Sequence, residues 1–156
     1  MRIALDTNVL AYAEGLERSP DDAPKIELAR TIIRRLSSQS DRPTVPVQAM
    51  AELQSVLLRK GRLSREESST RLRRLMVVCE VVGATAVEFE AALDLAADHA
   101  VPIFDAVILA SASAARCDFV LSEDFHDGFA WRGVVVVNPF GPSPDPRLAR
   151  LLMANG

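Results

Sequence analysis

Four carboxylates in this sequence stand beside apolar runs rather than in polar stretches. Asp6 closes Ile3-Ala4-Leu5, a run too short for a helix but sufficient for a buried parallel strand, so it falls at that strand's carboxyl end. In open α/β sheets ligands bind at this edge, where loops and helix N-termini converge on a rigid scaffold. Glu52 lies in line with Ala49 and Val56 and borders an apolar stripe that includes Leu53 and Leu57. Asp105 begins the most apolar stretch of the chain, in line with Ile108 and Leu109. Asp124 follows just after Phe119-Val120-Leu121-Ser122, a second strand-like run.

Taken singly, each acid has an ordinary explanation. An Asp in a first helical turn caps free amides and suits the helix dipole. Asp124 shares its loop with Glu123 and Asp127, and the residue types alone leave open which of the three matters. Joint placement at strand ends and buried helix faces carries more weight. Two unit charges 4 Å apart repel by about 4 kcal/mol at an effective dielectric of 20, so carboxylates gathered in one pocket require a cation. Oxygen donors with no Cys or His cluster select a hard ion, Mg²⁺ or Mn²⁺. Such an ion can acidify a bound water, orient it in line with a phosphorus and stabilise the leaving oxygen, which is the chemistry of phosphodiester hydrolysis.

The elements that must position these acids follow from periodicity and capping signals. Thr7–Glu14 reads as a helix capped by Thr7 or Asn8 and stopped by Gly15, followed by a polar loop from Glu17 to Pro24. Lys25–Ser38 carries Ile26, Ala29, Ile33 and Leu36 at helical spacing. Pro43–Val47 is extended, and Gln48–Arg59 is a helix closed by Gly61. Capping-box spacing at Ser64/Glu67 and Thr85/Glu88 starts two further helices, through Leu75 and Met76 and through Phe89 and Ala96. Glu80–Gly83 is a β-branched strand between them. Phe104–Ala115, apolar nearly all round, predicts a buried helix, with strands at Asp118–Ser122 and Val134–Val137. The Pro139–Pro146 tail leads into a short helix over Arg147–Met153. Alternating strands and helices predict a three-layer α/β/α sandwich around a mostly parallel sheet.

Length and composition bound the rest. The 156 residues suit one domain, 1–156, and the 49% hydrophobic and 25% charged content is that of an ordinary globular protein. No stretch reaches the roughly 20 apolar residues of a membrane span. Asp6 and Asn8 interrupt the N-terminal run before a signal-peptide core forms, so a cytoplasmic location is expected. Cys79 and Cys117 follow apolar helical stretches and read as core filler, while His99 and His126 are isolated. A net charge of −3 leaves any nucleic-acid contact to local patches, such as Arg59, Lys60, Arg62 and Arg65 near the end of the helix that carries Glu52. Lys25 and Lys60 are the only lysines.

IALDTNVLAYA, VPVQAMAELQSVLLRKG, VPIFDAVILASASAARCDFVLSEDFHDG and VVVVNPF stand in order over Ile3 to Phe140, and together they resemble a PIN domain of the VapC toxin type. The resemblance implies a metal-dependent endoribonuclease that cleaves structured RNA such as tRNA or rRNA, and acts as the toxin of a toxin–antitoxin pair that inhibits translation. It makes Asp6, Glu52, Asp105 and Asp124 an acidic quartet around Mg²⁺ or Mn²⁺, with Asp6 and Asp105 as the usual core ligands and Asn8 and Ser122 as polar supports. Ser122 stands where many members have Thr, which keeps the hydroxyl. A homodimer and an antitoxin partner are implied as well, the latter meeting the first helices around Tyr12 and the Leu16–Pro24 loop.

Two other readings of the same acids are a non-catalytic PIN-fold binding module and a PIN nuclease without an antitoxin. A haloacid-dehalogenase-like phosphatase needs Asp-x-Asp after the first strand, where this chain has Asn8 in third place. A phospho-receiver domain needs a lysine at a late strand end, where neither Lys25 nor Lys60 falls.

Overall fold

Four buried strand segments build the centre of the protein. Ile3–Leu5 (β1), Thr44–Pro46 (β2) and Phe119–Leu121 (β4) are buried at every position, and Val134–Val137 (β6) at three of four. Strands covered on both faces read as unbroken apolar runs, which is why their sequences show no alternation. The computed structural model describes residues 1–17, 19–38, 42–143 and 145–153. Position 18 of the Glu17–Pro24 loop and position 144 of the proline-rich tail lie outside them.

Glu80–Val82 (β3) and Ala130–Trp131 (β5) flank the centre, giving the order β3-β2-β1-β4-β6-β5. All pairings are parallel except that of β5 with β6. The helices are Thr7–Ala13 (α1), Ala23–Ser37 (α2), Val47–Arg59 (α3), Arg65–Val78 (α4), Ala86–His99 (α5), Ile103–Ala114 (α6) and Pro146–Met153 (α7). From β1 the chain steps outward through β2 to β3, then returns past β1 to β4. Right-handed crossovers therefore put α1 to α4 on one face and α5 and α6 on the other. Accordingly α1 packs on α2 and α3, and α5 packs on α6. This is the expected α/β fold, and β1 and β4 flank the point where the strand order reverses.

Local signals account for most element boundaries. Both capping boxes form: Ser64 Oγ accepts from Glu67 N at 3.1 Å while Ser64 N donates to Glu67 Oε2 at 2.8 Å. The same reciprocal pair joins Thr85 and Glu88. Gly61 is required by crowding, since a Cβ there would lie 2.7 Å from the Leu57 carbonyl oxygen. Cys79 and Cys117 are buried and free. No helix among the described residues is long and apolar enough to cross a membrane.

Three expectations are corrected, and one strand is added. The cap of α1 is Asp6 rather than Thr7 or Asn8, because its carboxylate reaches the Thr7 amide. Within the Glu17–Pro24 loop, Ser19 and Asp22 form a capping box that makes Pro20–Asp22 a 3₁₀ turn, so α2 starts at Ala23, ahead of Lys25. β5 was not legible, being two residues long and defined only by its pairing with β6. Finally, α6 is buried from Ala106 to Ala112, but Phe104 in its first turn is 60% exposed.

Leu53 is fully buried in α3, next in sequence to Glu52. Leu53→Ala is expected to cost about 2–5 kcal/mol, the range for core leucines. Urea denaturation checks this as a lower midpoint at unchanged slope.

Candidate active site

The parallel pairing of β1 with β4 aligns Leu5 with Leu121, which brings the next residues of the two strands, Asp6 and Ser122, to the same level. The ladder continues there, with Asp6 N donating to Leu121 O at 3.1 Å and Ser122 N to Val137 O at 3.1 Å. Asp6 is 7% exposed, and its carboxylate is held on three sides. Thr7 N donates to Oδ1 at 2.6 Å, Ser122 Oγ to Oδ2 at 2.6 Å and Asn8 Nδ2 to Oδ2 at 3.0 Å. The Asn8 amide also lies 3.2 Å from Ser122 Oγ and 3.4 Å from Asp124 Oδ2, so it links the acid after β1 to the acid after β4. Its own oxygen accepts from Glu123 N at 3.2 Å.

Glu52 approaches from α3. Gln48 Nε2 donates to its Oε1 at 2.8 Å and Thr7 Oγ1 to its Oε2 at 3.4 Å. Asp105 enters from the first turn of α6, whose N-cap is Pro102. Among the described residues its carboxylate has no hydrogen bond, so it is not the helix cap that its position suggests. Asp6, Asp105 and Ser122 line one narrow crevice with Ile108, Leu109, Val120, Phe125 and Val136.

The electrostatics show these acids sensing one another. Burial raises the Asp6 carboxyl above its ordinary value, the Ser122 and Thr7 hydrogen bonds oppose that, and the charges of Glu52 and Asp124 raise it further. Burial, then repulsion from Asp6, Glu52 and Asp124, pushes the Asp105 carboxyl up to about 6. Four acids from four separate segments thus sense one another's charge at the carboxyl edge of the sheet.

The PIN domain family model matches residues 3–129. This chain belongs to the PIN domain family. Three solved structures share its fold at low sequence identity. A toxin–antitoxin complex from Klebsiella pneumoniae is 17% identical, with a TM-score of 0.62 over 88% of this chain and 98% of that one. VapC20, a sarcin–ricin loop cleaving toxin of Mycobacterium tuberculosis, is 21% identical, with a TM-score of 0.60 over 78% and 89%. The Neisseria gonorrhoeae FitAcB structure is 20% identical, with a TM-score of 0.54 over 88% and 98%. No curated protein matches by sequence.

In this PIN domain the three acids after β4 have separate surroundings. Glu123 turns away from Asp6 and pairs with Lys25, while Tyr12 OH donates to its Oε2 at 2.8 Å. The pairing holds the Lys25 ammonium above its usual range, and burial followed by the Glu123 hydrogen bond raises the Tyr12 phenol. Asp127 accepts from the Asn138 amide at 2.8 Å, just past β6. Asp124 is the one of the three beside Asn8 and Asp6. Sequence reasoning missed Gln48, whose (i, i+4) spacing to Glu52 was a usable signal. It also missed the Tyr12–Glu123–Lys25 contact, which no local pattern announces.

Four carboxylates with neutral amide and hydroxyl supports are a donor set suited to a hard divalent ion. Among the described residues no three His, Cys, Asp or Glu side chains already stand close enough to share one. The acids still sense one another, since the charges of Asp6, Glu52 and Asp124 add to burial in raising the Asp105 carboxyl.

A pH dependence follows for the metal-free protein. With its carboxyl raised from 3.8 to about 6 on folding, Asp105 holds more proton in the folded than in the unfolded state between those values. Its contribution to stability is therefore greatest below this window and is lost as pH rises through it. Asp105→Asn is expected to flatten this part of the profile and to exceed the parent in stability above about pH 6. Urea midpoints measured across the window in chelated buffer check both points.

Proposed function

We propose that this PIN domain, residues 1–156, is a single-domain Mg²⁺- or Mn²⁺-dependent endoribonuclease and the toxin of a toxin–antitoxin pair. The observation that carries the reading is the convergence of Asp6, Glu52, Asp105 and Asp124 at the β1/β4 edge, where Asp105 is pushed up to about 6 by burial and by the charges of the other three. PIN domains are generally nucleases that use divalent metals. When bound, the ion supplies a Lewis acid that draws charge from a phosphodiester and acidifies water.

Asp6 and Asp105 would hold the ion, with Asp124 and Glu52 on its flanks. Ser122 and Asn8 aim the Asp6 carboxylate, and the Ser122 hydrogen bond, with that of Thr7 N, opposes the effect of burial. Gln48 and Thr7 hydrogen-bond the two oxygens of Glu52 and orient it from α3. Structured RNA, tRNA or rRNA, is the proposed substrate, and loss of translation is the proposed outcome of its cleavage in the cytoplasm. The similarity to structures of toxin–antitoxin complexes and of a sarcin–ricin loop cleaving toxin supports that choice.

An antitoxin is the proposed partner of a homodimer. Near the first helices, Ala13, Glu14, Arg30, Ile33, Arg34, Leu75 and Val78 help to wall a groove of about 460 Å³ between α1, α2 and α4, which suits an amphipathic helix.

Asp6→Asn and Asp105→Asn are each expected to reduce metal-dependent RNA cleavage by about a hundredfold or more, the scale for losing one preorganised electrostatic group. Circular dichroism should show both variants folded. Mn²⁺ should raise the melting temperature of the parent and fail to do so for Asp105→Asn. Undiminished cleavage by the double variant in chelator would overturn the reading.

A further inference from the structure

The nuclease reading leaves open how a strand is held beside the acids, and one groove bears on it. Gln48, Glu52, Ser55 and Arg59 follow one another at helical spacing along one face of α3. With Ala51, Val56 and Phe104 they wall a groove of about 380 Å³. It adjoins the acidic cluster directly, because Glu52 belongs to both and Phe104 immediately precedes Asp105.

Phe104 is out of character for its helix. Ala106 to Ala112 are buried in sequence, yet this ring is left 60% exposed at the mouth of the site. An aromatic face in water, beside acids suited to phosphodiester chemistry, is a surface on which an unpaired base stacks. Arg59 marks the outer end of the groove, about 10 Å along the helix axis from Glu52 at 1.5 Å per residue. Its Nε donates to Ser55 O at 3.3 Å, and among the described residues its guanidinium forms no ion pair. Both Glu52 oxygens are directed to Gln48 and Thr7, so Arg59 sets the charge at the outer end.

Resting on the nuclease reading, we infer that this groove is a subsite for one unpaired nucleotide next to the scissile phosphate of an RNA substrate, with the base stacked on Phe104 and the adjoining phosphate paired with Arg59. The subsite selects for an unstacked base and is tolerant of its identity, since every base offers a π face. Recognition of structured RNA then falls on loops or bulges rather than on paired stems, whose bases are not available for stacking.

The test uses the Asp6→Asn protein with Mg²⁺ and fluorescence anisotropy on two probes, a fluorescein-labelled oligoadenylate and an abasic ribose–phosphate chain of equal length. Phe104→Ala should weaken binding of the oligoadenylate about tenfold, Phe104→Trp should restore it, and neither should alter binding of the abasic chain. Phe104→Leu, which keeps apolar bulk without a π face, should behave as Phe104→Ala does. Arg59→Ala should weaken both probes alike and make the salt dependence shallower by about one counterion. Unchanged oligoadenylate affinity in Phe104→Ala overturns the subsite. So does an equal loss on both probes, a full rescue by Leu, or the absence of binding to either probe. A change of oligomeric state in Phe104→Ala with RNA affinity unchanged would assign the ring to a protein interface instead. The nuclease reading is tested separately, by metal-dependent cleavage with native Asp6.

Discussion

Everything at the carboxyl edge of this sheet depends on how a buried carboxyl group is held out of water. Taking its charged form out of water costs several kcal/mol even after relaxation. Asp6 is buried, and it answers that cost with hydrogen bonds from Thr7 N, Ser122 Oγ and Asn8 Nδ2. Hydrogen bonds to a charged group are worth about 1.5–3 kcal/mol each, so three of them are of the size of the penalty. The balance is close enough for neighbouring charges to matter. Burial remains the largest effect, the charges of Glu52 and Asp124 add to it, and the Asp6 carboxyl ends up raised. The same hydrogen bonds join β1, α1 and the turn after β4, so one side chain serves as helix cap, strand-end anchor and electrostatic centre.

This arrangement explains why the two halves of the site differ in rigidity. Asp6, Asn8 and Ser122 are buried and bonded to one another, which leaves their geometry little freedom. Asp105 is half-buried with no hydrogen bond among the described residues, and Glu52 is held only by side chains. A pocket with one fixed acid and others able to adjust suits a ligand that must be admitted and released, because a counter-charge can draw the adjustable groups inward.

Much of this was legible from the sequence because the signals were local. The strand ending at Asp6, the two capping boxes and the acidic positions all rest on patterns a few residues long. The α/β fold follows from the alternation of such elements. What escaped was set by pairing across the chain. β5 exists only through its register with β6. The cap of α1 depended on which of three neighbouring polar side chains the backbone would aim at an amide. Phe104 reads as core in an apolar run, and only the packing of α6 against α5 and α3 decides that its first turn is left uncovered.

The acids after β4 show how fold context resolves what sequence leaves open. Glu123 and Asp124 are adjacent, so the backbone sends their side chains in different directions. A fifth carboxylate facing Asp6 would add repulsion to a cluster that already raises Asp105 to about 6. The chain instead places a lysine where Glu123 points. Lys25 pairs with Glu123 and lies 3.4 Å from Asp22, and Tyr12 closes the contact from α1. Because Tyr12 sits one helical turn beyond Asn8, the helix that presents Asn8 to Asp6 and Asp124 also presents the phenol that keeps Glu123 away. Glu123 is thus answered by a cation and a hydroxyl, and α1 is the element that presents both Asn8 and Tyr12.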